Sequence, residues 1–247
     1  MTDTVTATAG HRYLAEAARL VERLAHEEWG TIAAAADLVA DALARGGDLH
    51  AFGTGHSHML AEELYYRAGG LVRVKPILFE GLMLHAGAEL STSLERLPGI
   101  AAAILEQHPI SPGDVLVVAS NSGGNAVVGE LAGLARDRGV PVIAILSRAH
   151  ATSRAARAAG GPNLQDLADV VIDNGGATGD AAVAIDGFAQ RVGPTSTVVG
   201  AAALNAIVAE AAERLIARGI QPEVFLSSNV EGGDELNARL LHPEGGR

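Results

Sequence analysis

Two short segments rich in glycine, serine and asparagine have the composition of anion-binding turns. Their candidate ligand-binding residues are Gly53, Thr54, Gly55, His56, Ser57 and His58 in the first turn and Ser120, Asn121, Ser122, Gly123 and Asn125 in the second. Glycine lets the backbone approach an anion closely, and hydroxyl groups add hydrogen-bond donors. A helix-like segment follows each turn and would add free amide groups and a partial positive charge. The two turns therefore predict a site for a small anionic group such as phosphate.

The two turns differ from the common nucleotide-binding motifs. His58 stands where G-x-G-x-x-G requires its third glycine, and neither turn fits the P-loop pattern. The first turn is also compatible with a plain tight turn. Helix capping needs one serine or asparagine, whereas the second turn has Ser120, Asn121 and Ser122 in succession. The second turn therefore carries more of the prediction.

Candidate acids and bases follow the first turn. Residues four apart lie on one face of a helix, so His58, Glu62 and Tyr66 form a stripe near the predicted helix start. Glu63 is turned by about 100° from Glu62, given 3.6 residues per turn. Both glutamates could instead be solvated surface charges, with Arg67 as an i, i+4 partner of Glu63. We favour Glu62 as a general base because its face is shared with His58.

Three further titratable residues are candidates for catalysis. His85 lies among apolar neighbours, as a core histidine would, but Glu80 nearby could orient or acidify it. Glu95 is either catalytic or the glutamate of a Thr92-x-x-Glu95 capping box. No metal-binding motif is present, so we predict neither a metal nor a cofactor.

The elements that must position these residues alternate between apolar strands and alanine-rich helices. Residues 115–119 and 142–146 are apolar without polar alternation, which is typical of a parallel sheet covered on both faces. Strands are predicted at 48–52, 71–79, 114–119, 140–146 and 168–172, and helices at 13–45, 57–67, 93–107, 126–138, 150–159 and 196–217. The pattern predicts one doubly wound, five-stranded parallel α/β sheet. Both turns should meet at its topological switch point.

The predicted sheet divides the chain into three parts. Residues 1–46 form a helical extension packed on the domain or on a dimer partner, residues 47–220 the α/β domain, and residues 221–247 an irregular tail that completes the site. Within the domain, residues 174–195 are predicted to be the least structured stretch, a mobile loop over the site. The small-residue faces of the first and last long helices favour packing between two protomers. We therefore expect a homodimer.

Composition excludes several classes of protein. The 247 residues include no cysteine, which excludes a disulfide framework, a thiol nucleophile and cysteine-ligated zinc. A formal net charge of −11, without a local basic patch, disfavours nucleic acid as a partner. No apolar run reaches the roughly 18 residues of a membrane span, and the N-terminus lacks signal-peptide features. We expect a soluble cytoplasmic protein with no membrane partner.

The two turns together resemble those of the sugar isomerase (SIS) domain, a phosphosugar-binding α/β fold. Residues 53–57 resemble its first loop and residues 120–123 its serine-rich phosphate loop. Residues 193–197 are similar to a turn of arabinose-5-phosphate isomerases, which adds Thr195 and Ser196 as candidate ligands. Residues 53–70 and 229–237 resemble a bacterial subgroup of SIS-domain proteins. The resemblance covers residues 48–217 and implies a site at or near a dimer interface.

Relatives within that fold suggest catalytic roles. Phosphoheptose isomerases have a histidine and a glutamate four apart within an A-E-E-L segment; alignment by motif favours Glu63, whereas the spacing favours Glu62. Isomerases of the arabinose-phosphate type carry a glutamate where this chain has Gly124. The N-acetylmuramic acid 6-phosphate etherases, which are lyases, also lack it and resemble this chain around Glu80, His85 and Glu95.

Three functions follow from the resemblance. A lyase would remove a C3 substituent from an N-acetylamino-sugar 6-phosphate, and we place it slightly ahead because of Gly124. An aldose–ketose isomerase would abstract the same C2 proton. A non-catalytic phosphosugar sensor would act on a protein partner, since no DNA-binding domain accompanies the chain. The sequence leaves the sugar itself open.

Overall fold

The central sheet has five parallel strands. A computed structural model describes residues 7–157 and 162–242. Its strands are β1 (Leu49–Gly53), β2 (Val74–Ile77), β3 (Val115–Ala119), β4 (Val142–Leu146) and β5 (Val170–Asp173). Their order is β2-β1-β3-β4-β5, and every pairing is parallel. The predicted doubly wound α/β fold is confirmed.

Helices cover both faces of the sheet. They are α1 (Ala9–Glu27), α2 (Trp29–Ala44), α3 (His58–Leu64), α4 (Ala88–Leu94), α5 (Ile100–Gln107), α6 (Ala126–Asp137), α7 (Arg148–Ala151), α8 (Arg154–Arg157), α9 (Leu164–Leu167), α10 (Ser196–Ala217) and α11 (Gly233–Leu241). Strand side chains alternate between faces. On one face Ala51, Val117 and Ile143 pack against α1, α2, α3 and α10; on the other, Phe52 and Leu116 pack against α5, α6 and α9. No helix in the described residues is both long enough and apolar enough to cross a membrane.

The switch point lies beside β1. The chain passes from β1 to β2 on one side and then to β3 on the other, and Gly53 is paired in register with Ala119. The two candidate turns therefore leave the sheet side by side at its carboxyl edge. Ligands bind at this position in open α/β sheets. We call the space between the turns the crevice.

A buried ion cluster explains why the predicted N-terminal helix is two helices. Glu28, between α1 and α2, directs one carboxylate oxygen to the Asp173 backbone N–H at 3.3 Å and to the Thr31 hydroxyl at 2.8 Å. The Arg23 guanidinium lies 3.1 Å from the Asp173 carboxylate and 3.5 Å from that of Glu28. The cluster ties the α1–α2 junction to the end of β5.

Packing of α2 against α10 within the chain removes the reason for which we expected a homodimer. Ala35 and Ala36 of α2, with Ala203 and Ala211 of α10, are almost completely buried in one core cluster. These small-residue faces pack within the chain, so our physical reason for a homodimer was wrong. The homodimer itself stays a prediction.

Two segments predicted to be irregular contain regular structure. Within 174–195, strands β6 (Ala181–Val183) and β7 (Val192–Pro194) form an antiparallel hairpin, and the Tyr13 hydroxyl donates to the Pro194 carbonyl at 2.8 Å. The tail after Gln221 contains α11, whose buried Asn237 exchanges two hydrogen bonds with the Leu226 backbone. The expectations of a mobile loop and an irregular tail were wrong because α1 contacts the hairpin and the backbone of residues 69–72 bonds to that of Glu223 and Phe225.

Two predicted helices are interrupted. The helix expected at 93–107 is α4 and α5, separated at Pro98 and Gly99, whose φ is +89°. The helix expected at 150–159 is α7 and α8, and residues 158–161 lie outside the described residues.

Candidate functional site

The first turn is built by close backbone contact. A Cβ at Gly53 would lie 2.3 Å from the Ser57 carbonyl oxygen, so only glycine fits there. Gly55 has a φ of +56° and begins a short 3-10 turn through His56 to Ser57. The Thr54 hydroxyl is buried and donates to the Glu95 carboxylate at 2.8 Å. Glu95 therefore contacts the first turn.

The position of Glu95 excludes the capping-box interpretation. Thr92 lies inside α4, where its hydroxyl donates to the Ala88 carbonyl at 2.9 Å, and Glu95 follows the last residue of α4. A capping box would require Thr92 to precede a helix. That interpretation was wrong, and the Glu95 carboxylate is used by Thr54 instead.

His58 and Glu62 form a pair on α3. The buried His58 contacts the Gly55 carbonyl through Nδ1, and because a carbonyl only accepts, Nδ1 carries the proton. In the neutral ring, Nε2 is then a bare acceptor, and it lies 3.7 Å from the Glu62 carboxylate. This separation exceeds a hydrogen bond. A small rotation of the half-exposed Glu62 side chain would bring the two groups close enough to pass a proton between them.

Glu63 has different surroundings. Its carboxylate pairs with Arg67 and accepts a hydrogen bond from Asn205 of α10 at 2.8 Å. Glu62 is half exposed beside His58. The structure therefore gives Glu63 the Arg67 partner that the surface-charge alternative expected, whereas Glu62, the more exposed of the two, lies beside His58.

His85 approaches the same pair. Its ring centroid lies 6.1 Å from that of His58 with the planes at 67°. His85 is exposed, so the alternative of a core histidine was wrong. Glu80 is also exposed and begins the preceding 3-10 turn, Glu80–Leu82. The structure thus brings His58, Glu62 and His85 together on one side of the first turn.

In the second turn, some side chains make hydrogen bonds within the protein and others do not. The Ser120 hydroxyl accepts from the Gly123 backbone N–H at 3.1 Å, and Asn121 accepts from the Asn174 amide at 3.0 Å. Ser122 is half buried, and the side chain of Asn125 makes no capping bond to α6 although it precedes that helix. Ser122 and Asn125 are therefore free to contact an anion, whereas the Val127 N–H in the first turn of α6 already donates to the Glu95 carbonyl at 3.2 Å.

Sequence analysis missed the residues that support the second turn. Ser147 and Asn174 follow the ends of β4 and β5, and His150 is on α7 with Nδ1 3.5 Å from the Asn121 amide nitrogen. The Ser147 hydroxyl donates to the Gly176 carbonyl at 2.6 Å, and the Gly176 N–H donates to Asn174 at 2.8 Å. The sequence signal that could have identified Ser147 and Asn174 is their position after the carboxyl ends of strands, where ligands bind in such sheets.

The donors of Thr195 and Ser196 are already engaged. Both backbone N–H groups donate to one Asp180 carboxylate oxygen, at 3.0 and 2.9 Å, and the Ser196 hydroxyl donates to the other at 2.5 Å. Asp180 thus supplies the negative charge favoured at the start of α10. A role for these two residues in phosphate binding stays a prediction.

Gly124 has no room for a side chain. A Cβ would lie 2.2 Å from the Ala156 carbonyl oxygen of α8. We expect Gly124→Ala to displace the second turn and to lower both the melting temperature and phosphate-site occupancy. The matched control is Gly133→Ala on α6, where a Cβ meets nothing within 4 Å. The control should gain up to about 1 kcal/mol from helix propensity. Equal melting temperatures in thermal denaturation would contradict this view of Gly124.

Among the described residues, no three histidine, aspartate or glutamate side chains are grouped closely enough to hold a metal ion. The two turns and α3 instead carry hydroxyl, amide, imidazole and carboxylate groups. Such groups can bind an anion and transfer protons.

The sheet order and the two turns are those expected of a SIS domain, and comparison with known protein families agrees. A family profile described as the SIS domain matches residues 12–147, and the chain belongs to this family. Within it, a UPF0309 protein of Listeria innocua is 42% identical over 231 residues, covering 94% of each chain. A UPF0309 protein of Brucella canis is 46% identical over 207 residues, covering 84% of each.

Solved structures share the fold at low identity. A phosphoheptose isomerase from Francisella tularensis has a TM-score of 0.50 and 16% identity, covering 81% of this chain and 95% of its own. The Vibrio vulnificus NanR protein complexed with ManNAc-6P has a TM-score of 0.50 and 19% identity, covering 87% of this chain and 64% of its own. These likenesses establish the fold.

Proposed function

We propose that the chain is a sugar-phosphate lyase that eliminates the C3 substituent of an N-acetylamino-sugar 6-phosphate. The observation that carries the proposal is the His58–Glu62 pair at 3.7 Å, placed directly after the first turn and faced by His85. The second turn would hold the phosphate while this group acts on the sugar. The ManNAc-6P bound by one fold neighbour is consistent with such a ligand.

Phosphate binding works against the charge of the whole chain, which is −11. The local groups that would overcome it are the Ser122 hydroxyl, the Asn125 amide and the partial positive charge at the start of α6. Ser57 would contribute from the first turn, because the Thr54 hydroxyl already donates to Glu95. Each charge-assisted hydrogen bond contributes roughly 1.5–3 kcal/mol.

The reaction is an elimination next to the C1 carbonyl of the open-chain sugar. Glu62 removes the C2 proton, and the electrons of that bond move toward the carbonyl oxygen as an enolate. They return to form the C2=C3 bond as the C3–O bond breaks. His85 protonates the departing oxygen, which leaves as water or an alcohol. His58 holds its bare nitrogen toward Glu62 and can accept the proton from it.

An aldose–ketose isomerase is the second candidate. It needs the same C2 abstraction, followed by return of the proton to C1, and the His58–Glu62 pair could serve both steps. The glutamate used by arabinose-phosphate isomerases would have to replace Gly124, where an added Cβ would lie 2.2 Å from the Ala156 carbonyl oxygen. This steric limit favours the lyase over that type of isomerase.

The deciding experiment is product analysis by mass spectrometry and NMR with a panel of amino-sugar and neutral sugar phosphates. Loss of water or of the ether substituent supports the lyase. A product of unchanged mass supports the isomerase instead, and tight binding without turnover supports a sensor. Absence of binding to every phosphosugar overturns the whole proposal. Sedimentation at micromolar concentration tests the proposed homodimer.

Ser122→Ala should weaken phosphosugar binding by about ten- to a hundredfold. The physical reason is loss of one charge-assisted hydrogen bond, with 1.4 kcal/mol corresponding to a factor of ten. Calorimetry with a sugar phosphate measures the change. Ser111→Ala, before the amino end of β3, is the control and should bind normally. Unchanged affinity of the Ser122 variant would remove this residue from the phosphate site.

A further inference from the structure

A closed circuit of hydrogen bonds joins the second turn to the ends of β4 and β5. The His150 backbone N–H donates to the Ser147 hydroxyl at 3.1 Å, and that hydroxyl donates to the Gly176 carbonyl at 2.6 Å. The Gly176 N–H donates to the Asn174 side chain at 2.8 Å, which donates in turn to Asn121 at 3.0 Å. The Asn121 amide meets His150 Nδ1 at 3.5 Å and closes the circuit. We call these five residues the polar circuit.

Two members of the polar circuit are buried away from solvent. Ser147 is completely buried and Asn174 is 2% exposed, so their polar atoms need hydrogen-bond partners in the interior. A buried polar group without a partner is unfavourable, and the circuit supplies partners to both residues. Asn121 and His150 are the partly exposed members. The buried half of the circuit therefore holds the half that a ligand could reach.

The order of donors in the polar circuit determines which imidazole nitrogen carries the proton. The Gly176 N–H can only donate, so the Asn174 atom beside it is the carbonyl oxygen. The Asn174 amide nitrogen therefore faces Asn121, which must accept with its own oxygen. The Asn121 amide nitrogen is left facing Nδ1 of His150, which must also accept. In the neutral imidazole the proton is then on Nε2.

Nε2 of His150 is the available end of the polar circuit. Among the described residues, His150 makes its hydrogen bonds through Nδ1 and its backbone, and Nε2 has none. His150 follows the carboxyl end of β4 and contacts the residue directly before Ser122. Ligands of open α/β sheets bind at these strand ends. An N–H donor therefore lies beside the second turn, where Ser122 and Asn125 are also free.

We propose that His150 is a further residue of the phosphate site and that its Nε2–H donates to a phosphate oxygen of the bound sugar phosphate. The proposal rests on phosphate binding by the second turn in the proposed function, and not on the lyase reaction. A hydrogen bond to a phosphate is charge-assisted and stronger than one between neutral groups. Asn121, held by Asn174, is a positioning residue because it keeps His150 in the tautomer that donates.

The first test uses the unaltered full chain labelled with ¹⁵N-histidine. At about pH 8, where free imidazole is neutral, long-range ¹H–¹⁵N spectra should show His150 protonated at Nε2. Inorganic phosphate and N-acetylglucosamine 6-phosphate should both shift that resonance. Protonation at Nδ1, or binding of both probes without a shift at His150, overturns this proposal alone. Absence of binding by either probe overturns phosphate binding in the proposed function as well.

His150→Phe keeps a planar side chain but removes the donor. It should weaken binding of both probes by about tenfold or more in calorimetry. His108→Phe is the matched control, because His108 is also partly buried but lies between α5 and the amino end of β3. The control should bind normally. Unchanged phosphate affinity in folded His150→Phe, or weakening with the sugar phosphate alone, contradicts the assignment of His150 to the phosphate.

Asn121→Ala tests the positioning role and keeps His150 in place. Without the amide that faces Nδ1, the fraction of His150 protonated at Nδ1 should rise. Binding of both probes should weaken, but by less than in His150→Phe. Circular dichroism establishes that each variant is folded, and this second variant keeps the proposal testable if His150→Phe is not. An unchanged tautomer in Asn121→Ala contradicts the role of the polar circuit.

Discussion

Glu62→Gln is expected to abolish both turnover and exchange of the substrate C2 proton with D₂O, while phosphosugar binding persists. Glutamine keeps the shape of the side chain but cannot accept the C2 proton. Loss of a positioned general base typically costs about 10²–10⁴ in rate. Deuterium incorporation followed by NMR measures exchange, and calorimetry measures binding.

Glu63→Gln is the matched control. Glu63 pairs with Arg67 and accepts from Asn205, so its substitution should reduce stability slightly and leave C2 exchange intact. Full exchange in Glu62→Gln would place the base elsewhere, with Glu63 and Glu95 as the next candidates. Glu95 is the nearer to the first turn, through its hydrogen bond with Thr54.

His85→Ala distinguishes the acid from the base. If His85 protonates the oxygen leaving C3, its removal should slow product formation but leave part of the C2 exchange, because abstraction precedes departure. Loss of exchange to the same extent as product formation would contradict this order. Absence of exchange in the unaltered chain with every amino-sugar phosphate would remove both enzyme proposals and favour the sensor.

Arg23→Ala should be the most destabilising change outside the hydrophobic core. It leaves the carboxylates of Glu28 and Asp173 buried together without their guanidinium partner. Removing one partner of a buried ion pair typically costs about 3–5 kcal/mol; the partial exposure of Arg23 places our expectation near 3 kcal/mol. For a chain of this size that corresponds to a melting temperature lower by roughly 10 °C. Differential scanning calorimetry measures the loss.

Arg19→Ala is the control for Arg23→Ala. Arg19 pairs with Glu16 on the exposed surface of α1, three residues apart. Exposed pairs contribute about 0–1 kcal/mol, so the melting temperature should hardly change. Equal losses in the two variants would show that burial of the Arg23 cluster has no special effect on stability.

Local sequence patterns predicted the strands and turns that position the site. The apolar runs at 115–119 and 142–146 indicated buried parallel strands, and the glycine and serine turns after β1 and β3 indicated where a ligand would bind. Both signals are local because strand burial and turn geometry depend on residues close in the chain. The five-stranded fold and the position of both turns at the switch point followed from them.

The sequence could not choose between Glu62 and Glu63. Helix periodicity placed them on different faces but did not say what either face meets. Asn205 of α10, far along the chain, engages Glu63 and leaves Glu62 beside His58. Likewise, the exposure of His85 and its approach to His58 depend on the path of the chain between β2 and α4.

Tertiary contacts also determined the hydrogen-bond partners that local sequence patterns predicted incorrectly. Thr92 and Glu95 have capping-box spacing, but Glu95 accepts a hydrogen bond from Thr54 of the first turn. Asp180, from a segment predicted to be mobile, occupies the start of α10 and takes the donors of Thr195 and Ser196. The sequence by itself determined the strands, the turns and the class of fold, because these depend on local burial patterns. Only the tertiary structure decided which polar groups are free to act, because hydrogen-bond partners are drawn from segments far apart in the chain.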